Sequence, residues 1–323
     1  MNNAYLLRLL AACAAAALLT WLAIGGSRLL WPDQLVALAM FCGVAAAMAL
    51  MLHLVASLAR LPRHVQGGQV DMAALWRGHR PLADALLCAG LIAAVQVANV
   101  GVVHIAELYR GQARVWHDAA LWSLEQPLFE ALLPLASGPW ESVYHSMWLY
   151  VIGVMCALVV RRRRAEAARM ALAAAAMFYV TQLVAIAWPT RGAAAYQPEA
   201  FAFLRSSLSW QLQQVLMAYQ SGRLAQNGLM YGMVAMPSMH MALSALAGLH
   251  LVKLHRAAWV PAVAALALIW ISTLVLGWHY ACDGVAGIAM AVACHRVLAS
   301  WRRHGALTSQ PVAARLGTSD PTV

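Results

Sequence analysis

The chain has 323 residues, of which 63% are apolar and only 11% are charged, and its mean hydropathy is +0.67. Soluble globular proteins carry about 25% charged residues, so this composition argues against a water-soluble domain and predicts an integral membrane protein. The formal net charge is +10, but the basic residues, all but one of them arginine, cluster between apolar stretches, which favours a role in membrane topology over nucleic-acid binding.

Apolar stretches of about twenty residues, the length that crosses a bilayer core of roughly 30 Å, recur along the whole chain. They predict about eight transmembrane helices, near 5–25, 34–58, 83–105, 141–160, 170–188, 235–253, 258–277 and 280–299. The first stretch is longer than a typical signal-peptide core and has no clear cleavage site, so we expect a retained helix. The six cysteines lie in or at the ends of these stretches without a CxxC pair, and no disulfide framework is predicted.

Arginine-rich connections orient the predicted helices, because Lys and Arg are enriched in cytoplasmic loops. The segments "RRRRAEAAR", "KLHR" and "SWRRHG" fall on one side when the N-terminus is placed inside. Both termini are then cytoplasmic, and the connections 106–140 and 189–234 are extracytoplasmic. We expect the plasma (inner) membrane as the location, with the active site on its extracytoplasmic face.

One extracytoplasmic segment, "RVWHDAALWSLEQPLFEALLP" at 114–134, alternates apolar and polar residues with helical spacing. This pattern is typical of a helix that lies flat at the membrane interface, here with Trp116, Trp122, Leu128 and Phe129 facing lipid. An ordinary connecting loop is the alternative.

Ionisable residues at the membrane edge are costly and therefore candidates for function. The predicted topology brings His240, His279 and Asp283 to the same membrane face. On a helix, residues four apart share a face, so Asp283 could accept the Nδ1 proton of His279 and leave Nε2 as an oriented nucleophile or base. A helix-packing hydrogen bond between the two is the alternative.

A second pattern on this face is "MPSMHMALSALAG". Pro237 suits the first turn of a helix and Ser238 can cap it, so the free N–H groups of that turn would bind an anion next to His240. Arg191, in "PTRG", offers a planar guanidinium for phosphate oxygens, or else extends to lipid headgroups.

Together, "MPSMHMALSALAG", "STLVLGWHYACDGVAG" and "PTRG" resemble the three signature motifs of the phosphatidic acid phosphatase type 2 superfamily. The degenerate first motif is similar to that of the inositol phosphorylceramide synthase-like branch. This resemblance implies an inositolphosphotransferase. The resemblance implies an all-α membrane protein with a six-helix catalytic core at 83–300. Two additional helices and a cytoplasmic loop would then occupy 1–82, and a disordered cytoplasmic tail 301–323.

The resemblance also implies roles for five residues. His279 would attack phosphorus to form a phosphohistidine, and Asp283 would orient it. His240 would protonate the leaving oxygen and then activate the acceptor, while Arg191 and Ser238 would bind the phosphate. No metal and no other cofactor is implied.

Two departures bear on the substrate. The phosphatase form of the third motif has a Ser-Arg pair before its histidine, where this chain has Ser272 and Thr273, and the first motif lacks a lysine. Fewer cations favour a phosphodiester donor and transfer to an alcohol or water. Hydrolysis of a lipid or polyprenyl phosphate by water alone is the alternative.

Other residues of the same face are candidates for substrate contacts. Tyr144, His145 and Tyr196 could bind a lipid headgroup, and His104 and His117, with Asp118, a polar acceptor. For His145, a buried histidine bonded to a neighbouring helix is the alternative. Histidines on separate helices could instead hold a haem or a metal ion, and a transporter is the third class. The expected partners are a phospholipid, polyprenyl phosphate or sphingolipid phosphate and the bilayer, with no nucleic acid.

Overall fold

A computed structural model of the chain describes residues 3–24, 32–61, 65–66, 69–70, 80–107, 112, 114–224 and 235–308. Almost all of this part is helical, and its eight long helices follow the eight predicted apolar stretches. They are α1 (Asn3–Ile24), α2 (Pro32–Leu58), α3 (Pro81–Glu107), α5 (Trp140–Val160), α6 (Arg164–Ala187), α9 (Met239–Leu254), α10 (Trp259–Val275) and α11 (Ala281–Thr308).

Shorter elements occupy the two long connections that were predicted to be extracytoplasmic. These are α4 (Asp118–Leu132), α7 (Ala193–Tyr196) and α8 (Leu208–Gln220). Three-residue 3-10 helices lie at Leu133–Leu135, Ala202–Leu204 and Arg256–Ala258, and a two-residue antiparallel strand pair, β1 (Val65–Gln66) with β2 (Gln69–Val70), follows α2.

Length and hydropathy qualify six of the described helices as membrane spans, namely α2, α3, α5, α6, α10 and α11. Helix α9 and the segment Ala11–Ala23 of α1 are also apolar but shorter. The prediction of an all-α membrane protein is confirmed, whereas the number of eight spans stays a prediction. Helix α11 continues to Thr308, into the segment predicted as a disordered tail, and residues 309–323 lie outside the described residues.

The helices pack in two groups that share α5 and α6. Helices α1 and α2 pack on α3, and α9 packs on α5, α10 and α11. Small side chains fill many of these contacts, for example Ala45, Ala49 and Ala247, which are fully buried. Small residues let membrane helices approach closely, which increases the packing contacts that hold them together in lipid.

One end of the bundle, called the site end below, is formed where α6 ends, α9 begins, α10 ends and α11 begins. Helix α4 also packs against the site end, with Phe129 fully buried against Trp122 and Tyr280. The prediction that Phe129 faces lipid was therefore wrong, whereas Trp122 is half-buried and Leu128 is exposed. The buried face of α4, formed by Asp118, Glu125 and Phe129, covers the loop between α10 and α11.

The opposite end carries a buried ionic cluster around Asp84, in the first turn of α3. The Asp84 carboxylate, which is fully buried, lies 3.0 Å from Nε2 of His53 and 2.6 Å from the guanidinium of Arg164. Arg162 lies in the turn between α5 and α6, and its guanidinium is 3.2 Å from the Asp84 carboxylate. A buried carboxylate is stable only when it is paired and hydrogen-bonded, so this cluster ties α2, α3 and the α5–α6 turn together.

We expect Asp84→Asn to destabilise the protein strongly, because it leaves the largely buried guanidinium of Arg164 without its counter-charge. Breaking a buried pair costs about 3 to 5 kcal/mol of unfolding free energy. Thermal unfolding in detergent micelles measures the effect, and Glu199→Gln is the control, since Glu199 pairs with Arg205 at the surface. An unfolding temperature for Asp84→Asn equal to that of the control would show that the cluster does not stabilise the fold.

Candidate active site

Three loops meet at the site end and are joined through their backbones. They are the Arg191 loop (188–192), the Pro237 loop (235–238) and the His279 loop (277–283). Thr190 holds the first two together: its carbonyl accepts the N–H of Ala235 at 2.9 Å and its hydroxyl accepts that of Met236 at 3.0 Å. Thr190 was not predicted as a site residue, although it lies beside Arg191 in the "PTRG" motif.

The His279 loop is bonded to both other segments. The N–H of Ala194, in the helical turn that directly follows the Arg191 loop, donates to the carbonyl of Gly277, and the N–H of Ser238 donates to the carbonyl of Asp283, each at 2.9 Å. The three motifs, which are far apart in the sequence, therefore form one backbone-linked unit.

Two glycines make this close approach possible. Gly192 has a φ of 99°, a conformation that side chains disfavour, and a Cβ there would lie 2.5 Å from the carbonyl oxygen of Trp278. Gly287 of α11 lies against the carbonyl oxygen of Ser238, where a Cβ would overlap it. Both glycines belong to the motifs quoted above or directly adjoin them.

His279 lies in the turn before α11, and its ring is almost fully buried. Its Nδ1 lies 2.8 Å from the carbonyl oxygen of Ala235. A carbonyl oxygen only accepts hydrogen bonds, so Nδ1 carries the proton and Nε2 has a free lone pair. His279 therefore has the tautomer that a nucleophile or base requires.

His240 faces this lone pair from the first turn of α9. Its Nδ1 lies 3.4 Å from Nε2 of His279. Because Nε2 can only accept, this arrangement orients an N–H of His240 towards it. The rings of Tyr144 and Trp148 flank His240, with centroid distances of 4.4 and 6.4 Å.

Asp283 lies close to His279. It was predicted to accept the hydrogen bond from Nδ1 of His279, but it is not the direct acceptor. Its Oδ2 is 3.6 Å from Nδ1 of His279 and accepts the N–H of Tyr280 at 2.8 Å. The prediction assumed that His279 belongs to the helix, whereas α11 begins only at Ala281. The Ala235 carbonyl is therefore the direct partner, and the Asp283 carboxylate supports the imidazole at longer range.

Ser238 is the cap of α9, as predicted, and it is fully buried. Its hydroxyl oxygen accepts the N–H of Met241 at 3.3 Å. Pro237 precedes the cap and does not lie in the first helical turn. A direct contact of Ser238 with phosphate stays a prediction.

Arg191 combines a fixed backbone with an exposed side chain. Its N–H donates to both carboxylate oxygens of Asp118, at 2.9 and 3.1 Å, and its guanidinium lies 4.3 Å from the centre of the Trp116 ring. The guanidinium is exposed, and its contact with phosphate stays a prediction.

The predicted headgroup contacts divide into two groups. Tyr144 is buried beside His240 and stacks on Trp278 at 5.8 Å, and His145 contacts the Tyr144 ring at 5.2 Å. Within the described part of the chain, Nε2 of His145 and Nε1 of Trp278 are buried without a hydrogen-bond partner. Tyr196 lies on α7 and is 37% exposed.

Two carboxylates of α4 bond the loops of the site. Asp118 was predicted only as a contact for a polar acceptor, beside His104 and His117, and Glu125 was not predicted. Asp118 also accepts the N–H of Gly192 at 3.0 Å, and Glu125 accepts those of Ala281 and Cys282 at 2.5 and 2.9 Å. Burial raises the pKa of Asp118, although the N–H groups of Arg191 and Gly192 oppose this shift. The two acids share helical spacing with Trp122 and Phe129. This sequence signal would have placed both Asp118 and Glu125 on a buried face.

The fold and this site define a helical membrane protein whose histidine pair lies at one end of the bundle. The sequence model of the PAP2 superfamily matches residues 112–297, more than half of the chain. The chain therefore belongs to the PAP2 superfamily, whose members are phosphatases and phosphotransferases. No curated protein and no solved structure matches it. The superfamily resemblance is confirmed, and membership of the inositol phosphorylceramide synthase-like branch stays a prediction.

Proposed function

We propose that this protein cleaves a phosphate ester of a membrane lipid and transfers the phospho-group to an alcohol or to water. His279 is the nucleophile and His240 the general acid and base. The observation that carries this assignment is the 3.4 Å contact between Nε2 of His279, which has a free lone pair, and Nδ1 of His240. Membership of the PAP2 superfamily supports the same class of reaction.

In the first step, Nε2 of His279 attacks phosphorus and an N–P bond forms. The bond from phosphorus to the lipid oxygen breaks, and His240, which this step requires as imidazolium, gives a proton to that oxygen and becomes a neutral imidazole. In the second step, His240 removes a proton from the acceptor hydroxyl, whose oxygen attacks phosphorus while the N–P bond breaks. Each step leaves His240 in the protonation state that the next step requires.

The Ala235 carbonyl and the Asp283 carboxylate support the first step. As the N–P bond forms, positive charge develops on the His279 ring, and both oxygens lie on the Nδ1 side of that ring. They stabilise this charge without moving, because both are fixed by the backbone links of the loops.

Substrate binding has to separate the two imidazoles. In-line displacement puts the leaving oxygen on the far side of phosphorus from Nε2. At the start, Nε2 and phosphorus are about 3 Å apart. A gap of 3.4 Å between the two ring nitrogens leaves no place for phosphorus between them. His240, whose ring is only partly buried at the start of α9, is the group expected to move.

The charges near the site favour a phosphodiester donor. Arg191 is the cation among the residues assigned to the phosphate, and three buried carboxylates, Asp118, Glu125 and Asp283, lie in or next to the loops. A diester carries one negative charge and a monoester up to two, so a diester is repelled less by these acids. Arg205, another arginine of the connection 189–234, is paired with Glu199 at 2.9 Å. This balance fits the inositol phosphorylceramide synthase-like branch.

The distribution of arginine supports an extracytoplasmic active site in the inner, or plasma, membrane. The turn 161–164 at the end opposite the site holds four consecutive arginines, and Arg256 and Arg296 lie at the same end. The positive-inside rule assigns that end to the cytoplasm and the site end to the other face. Both termini are then cytoplasmic.

Hydrolysis of a lipid or polyprenyl phosphate by water alone is the second candidate, because it uses the same two histidines. The superfamily consists of phosphatases and phosphotransferases, which favours either reaction over the haem-binding and transport alternatives.

Purified protein in detergent micelles tests the proposal with two donors, phosphatidylinositol as a diester and phosphatidic acid as a monoester, each with and without a long-chain alcohol. We expect faster consumption of the diester and a phospho-headgroup on the alcohol, detected by lipid mass spectrometry. Release of inorganic phosphate from the monoester alone would favour the phosphatase. Consumption of neither donor would contradict the proposal.

We expect Arg191→Ala to raise KM for the donor, because the guanidinium binds the non-bridging oxygens. Loss of a charged hydrogen-bond partner lowers kcat/KM by about 10- to 100-fold, and Arg191→Lys should recover part of it. Steady-state kinetics in mixed micelles measure the change. Arg205→Ala is the matched control, since its side chain is exposed and paired with Glu199. Equal kinetics for Arg191→Ala and the control would remove Arg191 from the site.

A further inference from the structure

Helix α4 places two carboxylates, Asp118 and Glu125, against the loops of the site. Both are buried, at 1% and 8% exposure, and they lie two turns apart on one face of the helix. Buried carboxylates are costly unless hydrogen bonds compensate them. Each of the two accepts two backbone N–H groups, and each pair of donors belongs to a different loop.

Asp118 holds the Arg191 loop. Its oxygens accept the N–H groups of Arg191 and Gly192 at 2.9 to 3.1 Å. The carboxylate therefore fixes the backbone from which the guanidinium extends. A further hydrogen bond joins the start of α4 to this loop, because the N–H of the preceding residue, His117, donates to the carbonyl of Pro189 at 3.1 Å.

Glu125 holds the start of α11, directly after His279 and Tyr280. It accepts the N–H of Ala281 at 2.5 Å and that of Cys282 at 2.9 Å. A negative charge at a helix N-terminus is favourable, because the helix dipole is positive there. Glu125 thus fixes the end of the turn that carries the His279 ring.

We propose that α4 positions the two halves of the active site, with Asp118 setting the phosphate-binding arginine and Glu125 setting the nucleophile. This inference rests on the proposed function for its kinetic consequences. Because a helix rises about 1.5 Å per residue, the two carboxylates lie roughly 10 Å apart on a rigid element, and they hold the two loops at a constant separation. Both are positioning residues, since they act through Arg191 and His279.

The two positions predict different kinetic defects. Asp118→Asn and Glu125→Gln keep the side-chain shape, but each amide has one acceptor oxygen and turns an NH2 group towards an N–H donor. We expect Asp118→Asn to raise KM by about tenfold with kcat nearly unchanged, and Glu125→Gln to lower kcat by about tenfold with KM nearly unchanged. The donor is whichever of phosphatidylinositol and phosphatidic acid the wild type consumes faster, in mixed micelles.

Glu130→Gln is the matched control on the same helix. Glu130 is exposed and bonds only a neighbouring side chain of α4, Gln126, among the contacts the structure gives it. We expect its kinetics and its unfolding temperature to equal those of the wild type. A purely structural role for Asp118 and Glu125 would lower kcat in both variants in proportion to the loss of folded protein and leave KM unchanged.

Amide hydrogen exchange of the full chain in micelles tests the positions without any substrate. We expect Asp118→Asn to accelerate exchange in peptides that contain Arg191 and Gly192, and Glu125→Gln in those that contain Ala281 and Cys282. Unchanged exchange at both places would overturn the inference, whatever the enzyme acts on. Local acceleration in a protein that consumes neither donor would leave α4 as the positioning helix and contradict the proposed function instead.

Discussion

Replacing His279 by alanine is expected to lower turnover by at least about 10³-fold, because no other group replaces the Nε2 lone pair that forms the bond to phosphorus. The variant should remain folded. The imidazole bonds the Ala235 carbonyl at 2.8 Å and His240 at 3.4 Å, whereas the loop itself is held by backbone bonds that the substitution leaves intact. Donor consumption in micelles measures turnover, and thermal unfolding checks the fold.

His295→Ala is the matched control for this experiment. His295 lies on α11 far from the site and contacts the ring of His250. We expect its turnover to stay close to that of the wild type. If His279→Ala retained the turnover of this control, the assignment of the nucleophile would be wrong.

Replacing His240 by alanine is expected to have the second largest effect. A positioned general acid contributes about 10²- to 10⁴-fold, and the loss depends on how basic the leaving oxygen is. An alkoxide such as that of diacylglycerol needs the proton, whereas p-nitrophenolate leaves without it. The fall in kcat should therefore be large for the lipid and much smaller for a p-nitrophenyl ester of the same phospho-group.

The ratio of the two rates is the measurement that identifies the acid. His250→Ala provides the control on the same helix, since His250 lies near the other end of α9. Its ratio should match that of the wild type. An equal loss on both leaving groups in His240→Ala would assign His240 a role other than proton donation.

The sequence was sufficient to predict the helices and the meeting of the three motifs. Apolar stretches of membrane-spanning length leave little choice of structure, because the backbone must satisfy its hydrogen bonds internally in lipid. The motifs around Arg191, His240 and His279 lie at predicted helix ends on one face. The structure brings the two histidines within 3.4 Å and links the Arg191 loop to them through Thr190.

The hydrogen bonds that organise the site were not predictable in the same way. His279 bonds the carbonyl of Ala235, and a carbonyl is present at every position, so no residue type marks the one that is used. Asp118 and Glu125 bond backbone N–H groups that are distant in sequence. Such groups are present at almost every position, so no residue type marks the ones that are used. Neither interpretation of α4, as a helix at the membrane interface or as a connecting loop, indicated that Glu125 would be buried against the site.

The Asp84 cluster illustrates a second limit. His53 and Arg164 were placed at the cytoplasmic ends of predicted helices, where charged side chains usually face water or headgroups. Their convergence on one buried carboxylate depends on how α2, α3 and α6 pack, with contacts at 3.0 and 2.6 Å. Sequence spacing carries no information on such a three-helix contact.

Trapping the covalent intermediate tests the central claim most directly. Purified protein is mixed with donor lipid in the absence of acceptor alcohol, quenched in base, where phosphohistidine survives, and digested for mass spectrometry. We predict a phospho-group adduct on the peptide that contains His279, labile in acid and absent from His279→Ala. An adduct on another residue, or turnover of the donor by His279→Ala without any adduct, would contradict the account.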